Sequence, residues 1–336
     1  MRGLLFHSKR KGSVLYKIIP NTDLRIASIC LGTAAFGSVV SPDESFKLLD
    51  AYCAAGGNLL DTAHVYADWL GGERHKSEKT LGQWLRKAGN RERVVLSTKG
   101  GHPDLATPLI PRLAPEEIAH DLDESLDCLG VKQIDLYWVH RDDPERPVAE
   151  ILEPLNQQVQ RGKVRYLGCS NWRPDRIGAA LTYARQHGLS PFVASQVHWS
   201  LAVANPGVFA SDHALMDADA QAYYTNADLG VVCYTSQARG FLSKAAEVGV
   251  ALLKPELRRD FENAESLARV ARAQALAHRL NTTVSAVALA YIASQSFVAI
   301  PIIGPLDAKH LTDSLNGADL TLSPEMVRFL ETGLSQ

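Results

Sequence analysis

Cysteine is scarce in this chain, which has only five cysteines among 336 residues. The number of cysteines is odd, and their positions show no paired C-x-x-C spacing. Neither a disulfide framework nor a cysteine-based zinc site is therefore expected. Reduced core thiols fit this pattern best. The H-E-x-x-H pattern of zinc proteases is also missing, and no metal is expected. The five are Cys30, Cys53, Cys128, Cys169 and Cys233.

Long apolar runs and an excess of one charge sign are missing too. No stretch approaches the roughly 20 apolar residues that span a bilayer, and the N-terminus lacks the apolar core of an export signal. With 35 basic and 37 acidic residues, the chain offers no electrostatic attraction for nucleic acid or an anionic membrane. We therefore expect a cytoplasmic protein that acts on a small molecule. Residues 1–12 are expected to form a flexible extension.

What the chain does contain is an alternation of strand-like and helical segments. Parallel strands buried on both faces, each followed by a helix, predict one (β/α)8 TIM barrel domain over residues 1–336. An open, doubly wound sheet is the alternative architecture. The apolar runs of strand length are residues 27–31, 58–60, 94–98, 134–139, 164–167, 192–195, 229–233 and 298–302.

Other segments are predicted to surround this barrel. Residues 13–17 and 24–28 flank a turn sequence and predict an N-terminal β-hairpin that plugs one barrel end. Ser41-Pro-Asp-Glu44 is a capping box that predicts the start of a helix, and extra helices are expected at the C-terminus. The long polar stretch 202–226 is expected to be either a wall over the site or a peripheral insertion.

Ionisable side chains mark the ends of three predicted strands. Asp61, Lys99 and His140 each follow a strand, and Tyr66 lies in the loop just beyond Asp61. The C-terminal ends of barrel strands meet at one rim, so these side chains should converge. Tyrosine is a poor acid, with a pKa of about 10, but a Lys99 ammonium would stabilise its phenolate. Asp61 would keep Lys99 charged, and His140 would orient a carbonyl. The set predicts proton transfer at a carbonyl.

Short motifs recur along nearly the whole chain. They are Asp61-Thr-Ala-x-x-Tyr66, Ser77-Glu78-x-x-Leu-Gly82, Ser97-Thr-Lys99, Asp135-Leu-Tyr-x-x-His140, Gly162-Lys-Val-Arg, Gly168-Cys-Ser-Asn171 and Ile300-Pro-Ile-Ile-Gly304. In content and order they resemble those of the aldo-keto reductase superfamily. The resemblance implies a (β/α)8 barrel, a nicotinamide cofactor and reversible conversion of a carbonyl to an alcohol. Tyr66 would then be the general acid in reduction, with Lys99 and Asp61 tuning it.

The same resemblance implies where the cofactor binds, since the chain has neither a G-x-G-x-x-G motif nor a P-loop. Tyr234 would stack on the nicotinamide ring. The loop that follows would wrap the pyrophosphate, although Thr-Ser-Gln replaces the more usual Ser-Pro-Leu. Residues implied to hold the carboxamide are Ser170, Asn171 and Gln196, and those implied to hold the pyrophosphate are Thr235, Ser236, Gln237, Arg239 and Gly240.

The adenosine end departs from the family pattern. After Gly304, many members carry a basic residue for the 2'-phosphate and later an Asn near the adenine, where this chain has Leu306 and Ser314. Lys309 and His310 still supply positive charge there, so NADP(H) is favoured over NAD(H). The remaining positions expected to contact the cofactor are Gly32, Thr33, Gly304 and Ser314.

Substrate contacts are predicted from positions that follow strands. Phe36, Trp69, His102 and Trp199 are expected to line a pocket together with the 202–226 segment. Because His102 and Arg141 add hydrogen-bond donors near the rim, a sugar-like or polyol carbonyl is the first expectation. An aromatic or aliphatic aldehyde is the alternative.

Two other functions are compatible with the sequence. One is a Schiff-base lyase or isomerase on the same barrel, with an uncharged Lys99 as nucleophile. The other is a regulatory subunit that binds the cofactor without significant turnover, as some relatives in the superfamily do. The sequence gives no indication of oligomeric state.

Overall fold

Residues 14–210 and 212–334 are described by the structure, a computed structural model. The expected flexible extension at residues 1–12 lies outside the described residues. The strands are β1 Tyr16–Ile18, β2 Arg25–Ala27, β3 Cys30–Gly32, β4 Leu59–Asp61, β5 Val95–Gly100, β6 Ile134–Val139, β7 Val164–Ser170, β8 Phe192–His198, β9 Gly230–Tyr234 and β10 Ala299–Ile303.

Eight of these strands form a closed parallel barrel in the order β10-β3-β4-β5-β6-β7-β8-β9. This confirms the (β/α)8 prediction over the open sheet. Each predicted apolar run contains or overlaps one barrel strand, because residues buried against both the barrel interior and the outer helices must be apolar on both faces.

The N-terminal hairpin lies at the end of the barrel where the strands begin. Strands β1 and β2 pair antiparallel, and Ile19, Leu24 and Ile26 pack with interior side chains such as Trp138. Gly230 opens β9 directly beneath this plug, where an added Cβ would lie 3.3 Å from Ile19. The predicted plug is therefore confirmed, and it leaves the opposite rim open.

Helices cover the outside of the barrel and continue past its last strand. Ser41 accepts a hydrogen bond from the Glu44 backbone at 3.3 Å, which confirms the predicted helix start. Among the described residues, every helix is too short or too polar to cross a membrane. The helices are α1 Pro42–Ala54, α2 Lys76–Ala88, α3 Pro115–Leu129, α4 Val148–Gln160, α5 Pro174–His187, α6 Ala218–Asn226, α7 Phe241–Val248, α8 Pro255–Phe261, α9 Ala264–Leu280, α10 Val284–Ala293, α11 Ala308–Leu315 and α12 Pro324–Thr332.

The 202–226 segment is partly helical and partly a wall beside β8. Its second half is α6, which Asp217 caps by accepting a hydrogen bond from Ala220 N. Before it, Ala214 and Met216 exchange backbone hydrogen bonds of 3.0 Å with His198 at the end of β8. The segment is therefore anchored at the open rim, which favours the wall over the peripheral insertion.

Candidate active site

Lys99 lies at the centre of the rim with its side chain only 1% exposed. Its Nζ donates to Asp61 Oδ2 at 2.5 Å, to the Thr62 carbonyl at 2.8 Å and to the Tyr66 hydroxyl at 2.9 Å. A lysine ammonium has three N–H donors, and these contacts use all of them. The Tyr66 oxygen is thus an acceptor from Lys99, so its own hydrogen is available to another acceptor.

Protonation of this pair follows from its surroundings. Burial disfavours a charged lysine, but the adjacent Asp61 and Tyr66 outweigh it and raise the pKa of Lys99 above its ordinary value. Burial also raises the pKa of Tyr66, and the Lys99 ammonium offsets this only in part. Lys99 therefore stabilises the Tyr66 phenolate as expected, but burial destabilises the phenolate more. In the protein alone Lys99 is charged and Tyr66 is a neutral proton donor.

Asp61 is held by partners on both of its carboxylate oxygens. While Oδ2 binds Lys99, Oδ1 accepts from Ser97 Oγ at 2.9 Å and from Gln196 Nε2 at 3.1 Å. A buried carboxylate without such partners would be costly. Gln196, implied to hold the cofactor carboxamide, thus also fixes Asp61 across the barrel.

His140 completes the predicted set at the end of β6. Its ring centre lies 6.0 Å from that of Tyr66 and 4.7 Å from that of His102. Burial, with nearby His102 and Arg141, holds the pKa of His140 well below its usual range. Its buried Nδ1 has no hydrogen-bond partner among the described residues. A neutral imidazole at this place is suited to orient a polar substrate atom rather than to supply charge.

Asn171 connects the rim of β6, β7 and β9. It adopts a left-handed backbone with φ of 63°. Its Nδ2 donates to the His140 carbonyl at 3.2 Å and to Ser170 Oγ at 3.1 Å, and its Oδ1 accepts from Tyr234 OH at 2.6 Å. The residues implied to hold the carboxamide and the nicotinamide ring are therefore gathered beside the Lys99 site.

The segment from Thr235 to Gly240 contains four residues with a left-handed backbone. Thr235, Ala238, Arg239 and Gly240 all have positive φ, between 47° and 84°. Turns of this kind can form concavities lined by backbone N–H groups, which suit phosphate oxygens. This geometry fits the implied pyrophosphate site.

Side chains of the same loop fix it to the barrel. Ser236 Oγ donates to the Ile302 carbonyl at 2.5 Å, and Gln237 Nε2 donates to Ser285 Oγ at 2.7 Å. Arg239 pairs with Asp260. The unusual Thr-Ser-Gln sequence is thus explained in part, because its polar side chains anchor the loop.

An acidic residue that no sequence motif marks lies at the expected adenosine end. Asp307 caps α11 by accepting from His310 N at 2.8 Å, and its other oxygen lies 3.0 Å from His310 Nδ1. Lys309 is exposed in the same turn, and Gly304 is exposed after β10. A carboxylate therefore lies beside the ring that was expected to supply positive charge.

Three expected cofactor positions make contacts within the protein. An added Cβ on Gly32 would lie 2.7 Å from Ile302, so this glycine permits close strand packing. Thr33 is fully buried, and its hydroxyl lies 3.1 Å from the Asp61 carbonyl and 2.9 Å from Ser77 Oγ. Ser314 is also buried, 3.4 Å from Gln237 Nε2. Cofactor contacts at these three positions stay a prediction.

The four expected substrate residues divide into two pairs. Trp69 is 50% exposed and meets Tyr66 edge-on at 5.9 Å between ring centres, and His102 meets His140. By contrast, Phe36 is fully buried in the core, and Trp199 is stacked on Phe297 at 5.9 Å. The expectation for Phe36 and Trp199 is therefore corrected: both rings are packing residues.

Two rim residues were missed by the sequence analysis. Arg141 Nε lies 2.9 Å from Asp212, and Arg141 Nη2 donates to His213 Nε2 at 3.3 Å. Because arginine cannot accept, His213 must be the acceptor there and is neutral. Asp212 and His213 lie in the 202–226 segment, where the sequence offers no motif to single them out.

Comparison with known proteins agrees with this geometry. The family model described as the Aldo/keto reductase family matches residues 28–332. The chain belongs to the aldo/keto reductase family. Carbonyl reduction is therefore its general chemistry, as the resemblance implied.

Three relatives of this aldo/keto reductase cover nearly all of it. The aldo-keto reductase ausK of Emericella nidulans is 29% identical over 94% of this chain and 81% of its own length. The aryl-alcohol dehydrogenase [NADP(+)] of Phanerodontia chrysosporium is 28% identical over 94% of this chain and 84% of its own length. The norsolorinic acid reductase A of Aspergillus parasiticus is 27% identical over 93% of this chain and 79% of its own length.

Proposed function

We propose that this aldo/keto reductase reversibly reduces an aldehyde or ketone with NADPH, using Tyr66 as the general acid. One observation carries the proposal: Lys99 donates its three N–H groups to Asp61, Thr62 and Tyr66, which leaves the Tyr66 hydrogen free. A phenol so held beside an ammonium is suited to give a proton to a carbonyl oxygen.

The roles of the residues follow from their contacts. Tyr66 donates its proton to the carbonyl oxygen, and Lys99 stabilises the resulting phenolate at 2.9 Å. Asp61 keeps Lys99 charged, and neutral His140 orients the carbonyl. The nicotinamide, when bound, supplies the hydride to the carbonyl carbon. In oxidation Tyr66 takes the proton back as general base.

Cofactor binding is proposed at the neighbouring strand ends. Ser170, Asn171 and Gln196 would hold the carboxamide, Tyr234 would face the ring, and the Thr235–Gly240 backbone would bind the pyrophosphate. NADPH is proposed over NADH because Lys309 and His310 lie in the first turn of α11. The name of the Phanerodontia relative, which includes NADP(+), supports this choice.

For the substrate, we propose an aromatic carbonyl or alcohol. The exposed Trp69 ring beside Tyr66, with His102 and His140 opposite, offers flat apolar surfaces for an aromatic ring. The name of the aryl-alcohol dehydrogenase relative points the same way. A sugar-like carbonyl, favoured by the donors of His102 and Arg141, is the competing class.

The contacts of Lys99 weigh against the Schiff-base alternative. A nucleophilic lysine must lose its proton, whereas burial of Lys99 is outweighed by Asp61 and Tyr66 so that its pKa is raised. Borohydride trapping of a substrate adduct on Lys99 would support that alternative instead.

The proposal is tested by cofactor titration and turnover of the purified chain. NADPH and NADH binding would be followed by protein fluorescence, and turnover would be measured with aromatic, aliphatic and sugar carbonyls. Tyr66→Phe should lose at least about 100-fold in kcat while keeping NADPH affinity within a few-fold. Tyr223→Phe, on α6, is the matched control and should retain wild-type turnover.

Three results would contradict the proposal. Unchanged kcat in Tyr66→Phe would exclude Tyr66 as the acid. Tight NADPH binding without turnover on any carbonyl would favour the regulatory subunit, and failure to bind either cofactor would remove the reductase function altogether.

A further inference from the structure

A cluster of imidazole and carboxylate groups lies behind the Tyr66 loop, separate from the Lys99 site. His64 Nε2 is 2.7 Å from Glu124 Oε2, and His75 Nε2 is 3.6 Å from the same oxygen. Ligand atoms of these three residues all lie within 4.8 Å of one another. His64 and His75 are buried, whereas Glu124 reaches the surface from α3.

A backbone carbonyl orients the buried imidazole of His75. His75 Nδ1 is 2.6 Å from the His64 carbonyl, which can only accept, so Nδ1 carries the hydrogen. In the neutral ring the lone pair is then on Nε2, the atom nearest Glu124. A backbone carbonyl is a usual outer partner of a metal-binding histidine.

Three protein ligands leave the fourth position of a tetrahedral site to water. Tetrahedral zinc with bonds of about 2.0–2.1 Å places its ligand atoms about 3.3–3.5 Å apart. The 3.6 Å between His75 Nε2 and Glu124 Oε2 is close to this spacing, and the 2.7 Å between His64 Nε2 and the same oxygen would lengthen on binding. His120, one turn before Glu124 on α3, lies 3.4 Å from that oxygen but outside the group whose ligand atoms lie within 4.8 Å of one another.

We propose that His64, His75 and Glu124 form a binding site for a divalent transition metal of the zinc type. The site is independent of hydride transfer and does not rest on the proposed function. No short sequence motif marks this site, and none was expected, because the ligands come from the loop after β4, the residue before α2 and the middle of α3.

A metal there would fix the loop that carries Tyr66. His64 precedes Tyr66 by two residues, and His75 lies at the end of the same loop, directly before α2. Binding would tie both ends of residues 64–75 to α3. The consequence is a Tyr66 and Trp69 loop that is stiffer with metal than without it.

The test uses tag-free full-length protein, treated with EDTA and desalted. ZnCl2 titration by calorimetry should give one equivalent per chain, and CoCl2 should give the intense visible absorption of tetrahedral Co²⁺. Zn²⁺ should also raise Tm, because a ligand that binds only the folded state stabilises it. Glu124→Gln should weaken Zn²⁺ binding by about 10-fold or more and abolish the Tm increase.

Two further variants separate this site from general histidine binding. His120→Ala removes an exposed imidazole that lies beside Glu124 but outside the three ligands, so it should keep Zn²⁺ binding and the tetrahedral Co²⁺ spectrum. His278→Ala, an exposed histidine on α9, should bind Zn²⁺ like the wild type. The proposal is overturned if no equivalent binds, if Zn²⁺ affinity is unchanged in Glu124→Gln, or if His120→Ala or His278→Ala weakens binding as much as Glu124→Gln does.

Discussion

Glu78 makes the stability of this protein depend on pH between about 4.5 and 7. Its carboxyl is fully buried in α2 beneath the Lys99 strand, with Oε1 accepting from Thr98 at 2.5 Å. Its Oε2 has no hydrogen-bond partner among the described residues. Burial raises the pKa of Glu78 from 4.5 to about 7. The folded protein therefore retains this proton at pH values where the unfolded chain has lost it.

The direction of the effect follows from this difference. Below the unfolded pKa of 4.5 both states are protonated and Glu78 carries no ionisation cost. Between 4.5 and about 7 the unfolded chain gains the free energy of ionisation while the buried Glu78 stays protonated, so stability falls with rising pH and levels off above about 7. At about 1.4 kcal/mol per pKa unit, the loss amounts to about 3 kcal/mol.

Urea unfolding of the wild type and Glu78→Gln at several pH values from 4.5 to 8 measures this loss. Glutamine does not ionise, so the stability of Glu78→Gln relative to wild type should increase by about 3 kcal/mol across this range. Any pH-independent effect of the substitution on the free energy of unfolding does not change how this difference varies with pH. Glu247→Gln, an exposed glutamate on α7, should show a constant difference. A pH-independent difference for Glu78→Gln would refute the reasoning.

Three other predictions test the assignments at the rim. Lys99→Met should lower kcat at least about 100-fold because Tyr66 loses its stabilising ammonium; wild-type kcat would contradict this role. Asp307→Ala should lower the NADPH dissociation constant several-fold and leave that for NADH nearly unchanged, since a carboxylate beside His310 is removed; equal changes in fluorescence titrations with both cofactors would argue against 2'-phosphate binding there. Trp199→Ala should lower the free energy of urea unfolding by about 3–5 kcal/mol and leave KM normal in the folded protein. Trp69→Ala should raise KM with little loss of stability. The reverse pattern would overturn the division between packing and pocket residues.

Strand positions were predictable because of where they are buried. Runs such as 134–139 and 229–233 are apolar throughout, as strands between a barrel interior and a helix layer must be. The helix start at Ser41 was predictable from local capping chemistry. The helix at α6 was not, because residues 218–226 have little apolar periodicity and the segment as a whole is polar.

Site residues divide in the same way. Asp61, Lys99 and His140 could be named because each directly follows an apolar run predicted as a strand, and barrel geometry brings strand ends together. Phe36 and Trp199 also follow strands, yet they pack in the core. Position after a strand does not tell whether a side chain turns toward the rim or outward to the helices.

The sequence by itself determined the barrel, its plug and the convergence of Asp61, Tyr66, Lys99 and His140, because periodic burial and strand ends are local features of the chain. Only the tertiary structure decided that the three N–H groups of Lys99 donate to Asp61, Thr62 and Tyr66. It alone also paired Asp307 with His310 and gathered His64, His75 and Glu124. Such contacts depend on side-chain direction and on segments far apart in sequence, and those are set only when the chain packs.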